Sequence, residues 1–310
     1  MRKIRGTHIL GIFFDFFFVN WINIHLGIIM IGRITLLLLF GLTFTQTNIS
    51  GTIQGTLTSD GNPYMMIGDV ICEDCILDEG VLIKVAGNYR FNVNGDSHLN
   101  VNGTKYNPVV IESLSGLSGS WFGINMSDNS HFYGTYLDIS DAIDCIMVGG
   151  NSYASIEHSK ISNCYNGLYL NSGSQETTGW SVKNNIITDC GNGINLYGQP
   201  TANYPHEIIN NTITSGDCGI QTSGQSGMMV DVNSNIISDN GLYGLCMNGG
   251  YIDYQRIKHN NFYGNYNGAM TYDYSVFGIG CFGLDTCNGT NLNGDPSDIN
   301  LNIFSNPLME

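Results

Sequence analysis

Tyr169, Asn195 and Gln221 follow one another at intervals of 26 residues, and Cys246 and Met270 continue the series at 25 and 24. Tyr197 and Tyr272 lie two positions beyond Asn195 and Met270. An aromatic ring offers its face to C–H surface, and a side-chain amide both donates and accepts hydrogen bonds. Brought together on one surface, this set suits a ligand rich in hydroxyls. Asp189 and Asp239 accompany it in phase and join Tyr169, Asn195, Gln221 and Tyr197 as candidate carbohydrate-binding residues, with no catalytic residue assigned. Other chemistry is sparse. Cys72 and Cys75 form a C-x-x-C, with no second pair at zinc-ribbon spacing and no redox-motif context. Cys281 and Cys287 close a short loop and are spaced to pair, and Asp295 and Asp298 form a loose acidic loop, a weak calcium signal. No other metal site or cofactor is expected.

What must position these residues is a repeat. "IEHSKISNCYNGLYL" from Ile156, "VKNNIITDCGNGINL" from Val182, "IINNTITSGDCGIQT" from Ile208, "VNSNIISDNGLYGLC" from Val232 and "IKHNNFYGNYNGAMT" from Ile257 are copies of one unit. A period of 24–26 residues indicates a solenoid. Ile156, Val182, Ile208, Val232 and Ile257 share one apolar position. Ile161, Ile187, Ile213, Ile237 and Phe262 share a second. Leu168, Ile194, Ile220, Leu245 and Ala269 share a third, and Leu170, Leu196, Thr222 and Met247 a looser fourth. Apolar and polar residues alternate between these columns, as in short strands with one face inward. The fold class expected is all-β: a right-handed, single-stranded parallel β-helix with an N-terminal cap.

Two residues before the second column stand Ser159, Asn185, Asn211, Asn235 and Asn260. Asn tolerates left-handed backbone and satisfies backbone groups inside a bend, so the column predicts an asparagine ladder at one corner. Cys164 and Cys190 share another column on adjacent coils, within Cα reach of a disulfide. Asp189 and Asp239 fall two coils apart, on the order of 10 Å at about 4.8 Å per coil. That exceeds the roughly 6.5–9.5 Å of an inverting carboxylate pair, and solvated turn acids are the favoured reading of them. His158 and His259 share a column four coils apart, too far to share a metal ion.

Composition excludes other classes. The 310 residues carry a formal charge of −15 with 12% charged residues, and four of the eleven basic side chains lie within the first 33 positions. A body so acidic repels a phosphate backbone, so a nucleic-acid partner is not expected. The segment "MIGRITLLLLFGLTFTQ" from Met30 has one Arg and an apolar run too short to span a bilayer, the form of a secretory signal, with cleavage expected before Gln46. An uncleaved anchor is the alternative, since residues 9–24 add a second apolar stretch. Nine cysteines suit an oxidising compartment. The organisation expected is a targeting segment over 1–45, cap and first coils over 46–130, regular coils over 131–272, and a loop insertion with terminal coil over 273–310.

From residue 50 onward the chain resembles the right-handed parallel β-helix repeat proteins of the pectate-lyase-like superfamily, secreted bacterial type. "GVLIKVAGNYRFNVNG" (80–95), "NPVVIES" (107–113) and the Trp121, Gly123, Ile124 rung carry the likeness upstream. The resemblance implies export to the medium or cell surface and a polysaccharide or surface glycan as partner, without a membrane span in the mature, monomeric protein. This architecture hosts enzymes and binding modules alike. "RIK" at Arg256–Lys258 matches one hydrolase signature, but no Gly-His-Gly or Asp-Asp accompanies it and Ile257 is already a core position. The reading favoured is a non-catalytic module for polysaccharide binding or adhesion; the rival is a lyase or hydrolase of the same superfamily.

Overall fold

The computed structural model describes residues 46–171, 179–198, 206–224, 228–249 and 252–271, and near the C-terminus 289–290, 294, 296–298 and 300–306. Two compact units divide the chain, residues 1–45 and 46–310, and every strand described here belongs to the second. It is a right-handed parallel β-helix, with twenty-five described strands joined in one continuous parallel ladder and a separate antiparallel pair at Gly289–Thr290 and Pro296–Ser297. Three sheets run along it. Sheet A holds Arg90–Val93, Gly123–Met126, Asp144–Val148, Asn166–Asn171, Asn192–Gly198, Cys218–Gly224, Tyr243–Asn248 and Gly268–Met270. Sheet B holds His98–Asn102, His131–Thr135, Tyr153–Glu157, Trp180–Lys183, His206–Ile209, Asp231–Asn233 and Ile257–Lys258. Sheet C holds Leu82–Val85, Val109–Ser113, Leu137–Ser140, Lys160–Ser162, Ile186–Thr188, Thr212–Thr214, Ile236–Ser238 and Asn261–Tyr263. Beneath them Tyr64–Leu77 runs unbroken past both corners and pairs with the first strand of each sheet, and Thr47–Leu57 pairs along it.

The apolar columns stack as their spacing requires. Ile156, Val182, Ile208, Val232 and Ile257 are in register in sheet B, and Ile161, Ile187, Ile213, Ile237 and Phe262 in sheet C. All are buried in one continuous core. The last coil corrects the sequence alignment. Leu245 pairs with Met270, not Ala269. Ala269 takes the place of the repeat's Gly, and Met270, expected on the outer surface, turns inward and is buried. Trp121 closes an early rung from inside, its Nε1 donating to the carbonyl of Ser140 at 2.8 Å. Gly123 adopts φ +91° and a Cβ there would lie 1.6 Å from the carbonyl oxygen of Asp144, so only glycine fits.

The asparagine ladder is present, with one correction. Asn185 donates from its backbone N and from Nδ2 to Oδ1 of Asn211, at 2.9 and 3.0 Å, and its Nδ2 also reaches the carbonyl of Ile156 at 2.8 Å. Asn211 repeats this on Asn235, and Asn235 on Asn260. Asn260 does the same on Asn302, whose Nδ2 is held by Asp298 at 2.9 Å. The left-handed residues, however, are the ones just before the ladder: His158, Asn184, Asn210, Ser234 and His259, with φ from 52° to 58°. Turning the chain and satisfying its backbone groups are tasks of two successive residues. The second corner is built likewise, with Asp141, Asn163, Asp189, Ser215, Asp239 and Gly264 all at positive φ.

The cysteine pairing also differs from expectation. Cys164 bonds to Cys145, and Cys190 is a free, buried thiol. Side chains stacked on parallel strands point the same way, so ladder neighbours do not aim their sulfurs at each other. The Cys164 sulfur instead points back to the preceding coil, where it accepts from the backbone N of Ala142 and meets Cys145. Cys145 stands in the column otherwise held by Gly167, Gly193 and Gly219. A Cβ at Gly167 would lie 3.4 Å from the Cys190 sulfur; glycine there leaves Cys190 without a partner thiol. Cys72 bonds to Cys75 and Cys218 to Cys246. Cys281 and Cys287 lie outside the described residues.

Candidate binding face

The outer face of sheet A gathers the residues the repeat singled out. Tyr169, Asn195, Gln221 and Cys246 are in register on successive strands, and Met147, Asn125 and Asn92 extend the column toward the N-terminus. Tyr197 lies two residues along from Asn195 and stacks on Tyr169, with ring centroids 6.4 Å apart and planes at 22°. Cys246 closes the column at the other end, bonded to Cys218 of the strand below. Tyr272 lies outside the described residues.

Beside this column runs a second, which the sequence reading missed. Asn166 donates to Asp144 at 2.7 Å, Asn192 donates to Asn166 at 2.8 Å, and Asn195 reaches the same Asn166 oxygen at 3.3 Å. The amides are thereby oriented, every Nδ2 pointing toward the N-terminal end of the row. Asn195 Oδ1 is buried without a protein donor. Burial pushes the Asp144 carboxyl above its ordinary value, against the hydrogen bond from Asn166. Burial, and after it the charge of Asp144, raises the Tyr169 phenol, which therefore remains a hydrogen-bond donor at neutral pH. The signal for Asp144 was faint because the 22 residues between Asp144 and Asn166 fall short of the regular period.

The two aspartates named with this set as carbohydrate-binding candidates stand off the column. Asp189 and Asp239 occupy the exposed corner between sheets C and A, on alternate coils. Asp189 accepts from the Thr188 hydroxyl at 3.0 Å. Asp141 in the same column is buried, accepting from the backbone N of Ser113 and from Asn163. Arg256 is paired with Asp231 at 2.8 Å and Ile257 is core, so the "RIK" serves the scaffold. Lys183 pairs with Glu207 at 2.6 Å in sheet B. Asp298, named with Asp295 as the weak calcium signal, accepts from the backbone N of Asn300 and of Asn302 and caps the ladder; Asp295 lies outside the described residues. Among the described residues no three of His, Cys, Asp and Glu converge as a metal site, and no helix is long and apolar enough to cross a membrane.

Residues 80–304 match the family model described as periplasmic copper-binding protein (NosD). No curated protein and no solved structure matches the chain.

Proposed function

The chain belongs to the NosD family of periplasmic β-helix proteins, and from that premise we propose that this exported module binds polysaccharide along the outer face of sheet A. The observation that carries the reading is the in-register run of Tyr169, Asn195 and Gln221, with Tyr197 stacked on Tyr169. A sugar ring laid on the tyrosine pair presents hydroxyls to the amides of the next two coils. The Asp144–Asn166–Asn192 row fixes which way the amide of Asn195 points, so the face is organised before a ligand arrives, and less ordering is lost on binding. Asp189 and Asp239 stand at the exposed corner beside sheet A and not in this column, and general acid–base catalysis needs its groups within hydrogen-bond reach of the bond broken, which supports a reading of binding without turnover. Affinity electrophoresis in glycan-loaded gels tests it. Tyr169→Ala and Gln221→Ala each weaken retardation about tenfold, the effect of one lost aromatic contact or hydrogen bond near 1.4 kcal/mol. Unchanged retardation in both variants contradicts the assignment.

The family description names copper. In the described chain six cysteines are in disulfides, and burial pushes the Cys190 thiol up to about 11, so thiolate ligation is closed there. The donors that fit copper are imidazoles, of which His98 and His131 stand side by side on the outer face of sheet B. Bound copper would supply a redox-active ion; these residues would only hold it.

A further inference from the structure

Thr47–Leu57 forms the lowest coil of the β-helix, and among the described strands it pairs with Tyr64–Leu77 alone. Its other edge faces outward from the N-terminal end. Charged residues and proline are among the guards that protect an open edge, and TNISGTIQGTL contains neither. A Cβ added at Gly51 or Gly55 would meet no atom within 4 Å, so both corners are open. Ile49, Ile53 and Leu57 point toward the core at this end. Ile49 is buried, while Ile53 and Leu57 pack on the core only partly covered.

This strand reads alike in both directions about Ile53. Ile49 matches Leu57, Ser50 matches Thr56, Gly51 matches Gly55 and Thr52 matches Gln54, each pair of one chemical type. The two glycines are left-handed corners, at φ 68° and 82°, so the bends map onto each other as well. A two-fold interface needs this property, since residue i of each copy meets residue j of the other.

We propose that two copies of this chain join end to end, with Thr47–Leu57 of each pairing antiparallel about a two-fold axis at Ile53. Each copy supplies the strand that the other's edge lacks, and Ile53 and Leu57 are withdrawn from water. The dimer replaces the monomer that the superfamily resemblance implied. Charge agrees with this choice of surface. The chain carries a formal charge of −15, so two copies repel over most of their surface and approach at least cost through an uncharged end. Cleavage before Gln46, expected from the sequence, would leave one residue ahead of the strand. Thr52 also stands at the foot of the column that runs through Asn92 and Asn125 to Tyr169. The two-fold axis is normal to sheet A there, so both copies turn that face to the same side. The dimer stands independently of the glycan reading.

Sedimentation velocity on the exported chain, over a wide range of concentration, tests this. A monomer–dimer equilibrium is expected, and the dimer fraction rises as salt screens the repulsion between two acidic bodies. Thr52→Glu with Gln54→Glu sets like charges directly opposite each other across the two-fold, which opposes pairing. That variant stays monomeric and keeps the melting temperature of dilute wild type. Thr52→Lys with Gln54→Lys is likewise monomeric alone. Mixed in equal amounts, the two variants form a heterodimer, a rescue that misfolding cannot produce. A wild-type chain that is monomeric at every concentration overturns the proposal, whether the edge is bare or covered by the chain ahead of Thr47. A dimer that survives in both variants, or a mixture that stays monomeric, also overturns it.

Discussion

Asp144 shows how one side chain can cost stability and still organise a surface. Its folded-state pKa lies above the ordinary 3.8, chiefly through burial. The folded chain therefore binds this proton more tightly than the unfolded chain does. The cost of the buried charge is fully present above the raised pKa and vanishes below about 3.8. Asp144→Asn keeps an acceptor for Asn166 and removes the charge. It is expected to raise the melting temperature at pH 7, and that gain should shrink as pH falls between the raised value and 3.8. A gain that is the same at pH 3 and pH 7 contradicts the assignment. Cys190 offers a second residue-scale test. With its thiol raised to about 11 and buried among Ile187 and the Gly167 backbone, it resists alkylation at pH 8 until the chain unfolds. Non-reducing peptide mapping then returns Cys145 joined to Cys164. A Cys164–Cys190 peptide would restore the pairing expected from spacing alone.

At the scale of the element, the ladder sets the stability of the coils. Asn211 Oδ1 serves two donors of Asn185, and its Nδ2 serves the carbonyl of Val182, all buried. Asn211→Ala breaks all three bonds, although Asn185 Nδ2 keeps the Ile156 carbonyl, and buried groups left unpaired cost about 1–3 kcal/mol each, not additively. A loss of about 3 kcal/mol in denaturant unfolding is expected; under 1 kcal/mol would mean that solvent replaces the amide. The core columns and this ladder were legible in the sequence because each depends on one residue type at a fixed period. The left-handed residue was misplaced by one position because Asn occupies both roles in two of the coils, at Asn184–Asn185 and Asn210–Asn211. Cys145 and Asp144 escaped because their coil is 22 residues long, and His98 and His131 because theirs is 33. Outside the regular period, register is visible only in three dimensions. Met270 was misassigned for a related reason: the last coil is one residue longer than the glycine column suggested, and period 2 turns a one-residue slip into a change of face.

At the scale of the whole molecule, the β-helix of residues 46–310 is acidic. Residues 46–310 carry seven basic and twenty-five acidic side chains, and four of those bases are matched with Glu112, Asp138, Glu207 and Asp231 across neighbouring strands. Little positive charge remains to meet an anionic polymer, so neutral glycans are expected to bind better than uronate polymers, with the gap narrowing as salt screens the repulsion. Export agrees with the periplasmic family and with the disulfides, which persist in oxidising surroundings.

The central claim, a β-helix that holds polysaccharide on sheet A without cleaving it, is tested most directly by one paired measurement on residues 46–310. A glycan array is read for binding, and the bound glycans are then assayed for new reducing ends and for unsaturated uronate products. Retention of a glycan, reduced about tenfold by Tyr169→Ala and unaccompanied by any product, is the result expected. Product formation abolished by Asp189→Asn would contradict it and make the chain a polysaccharide-degrading enzyme.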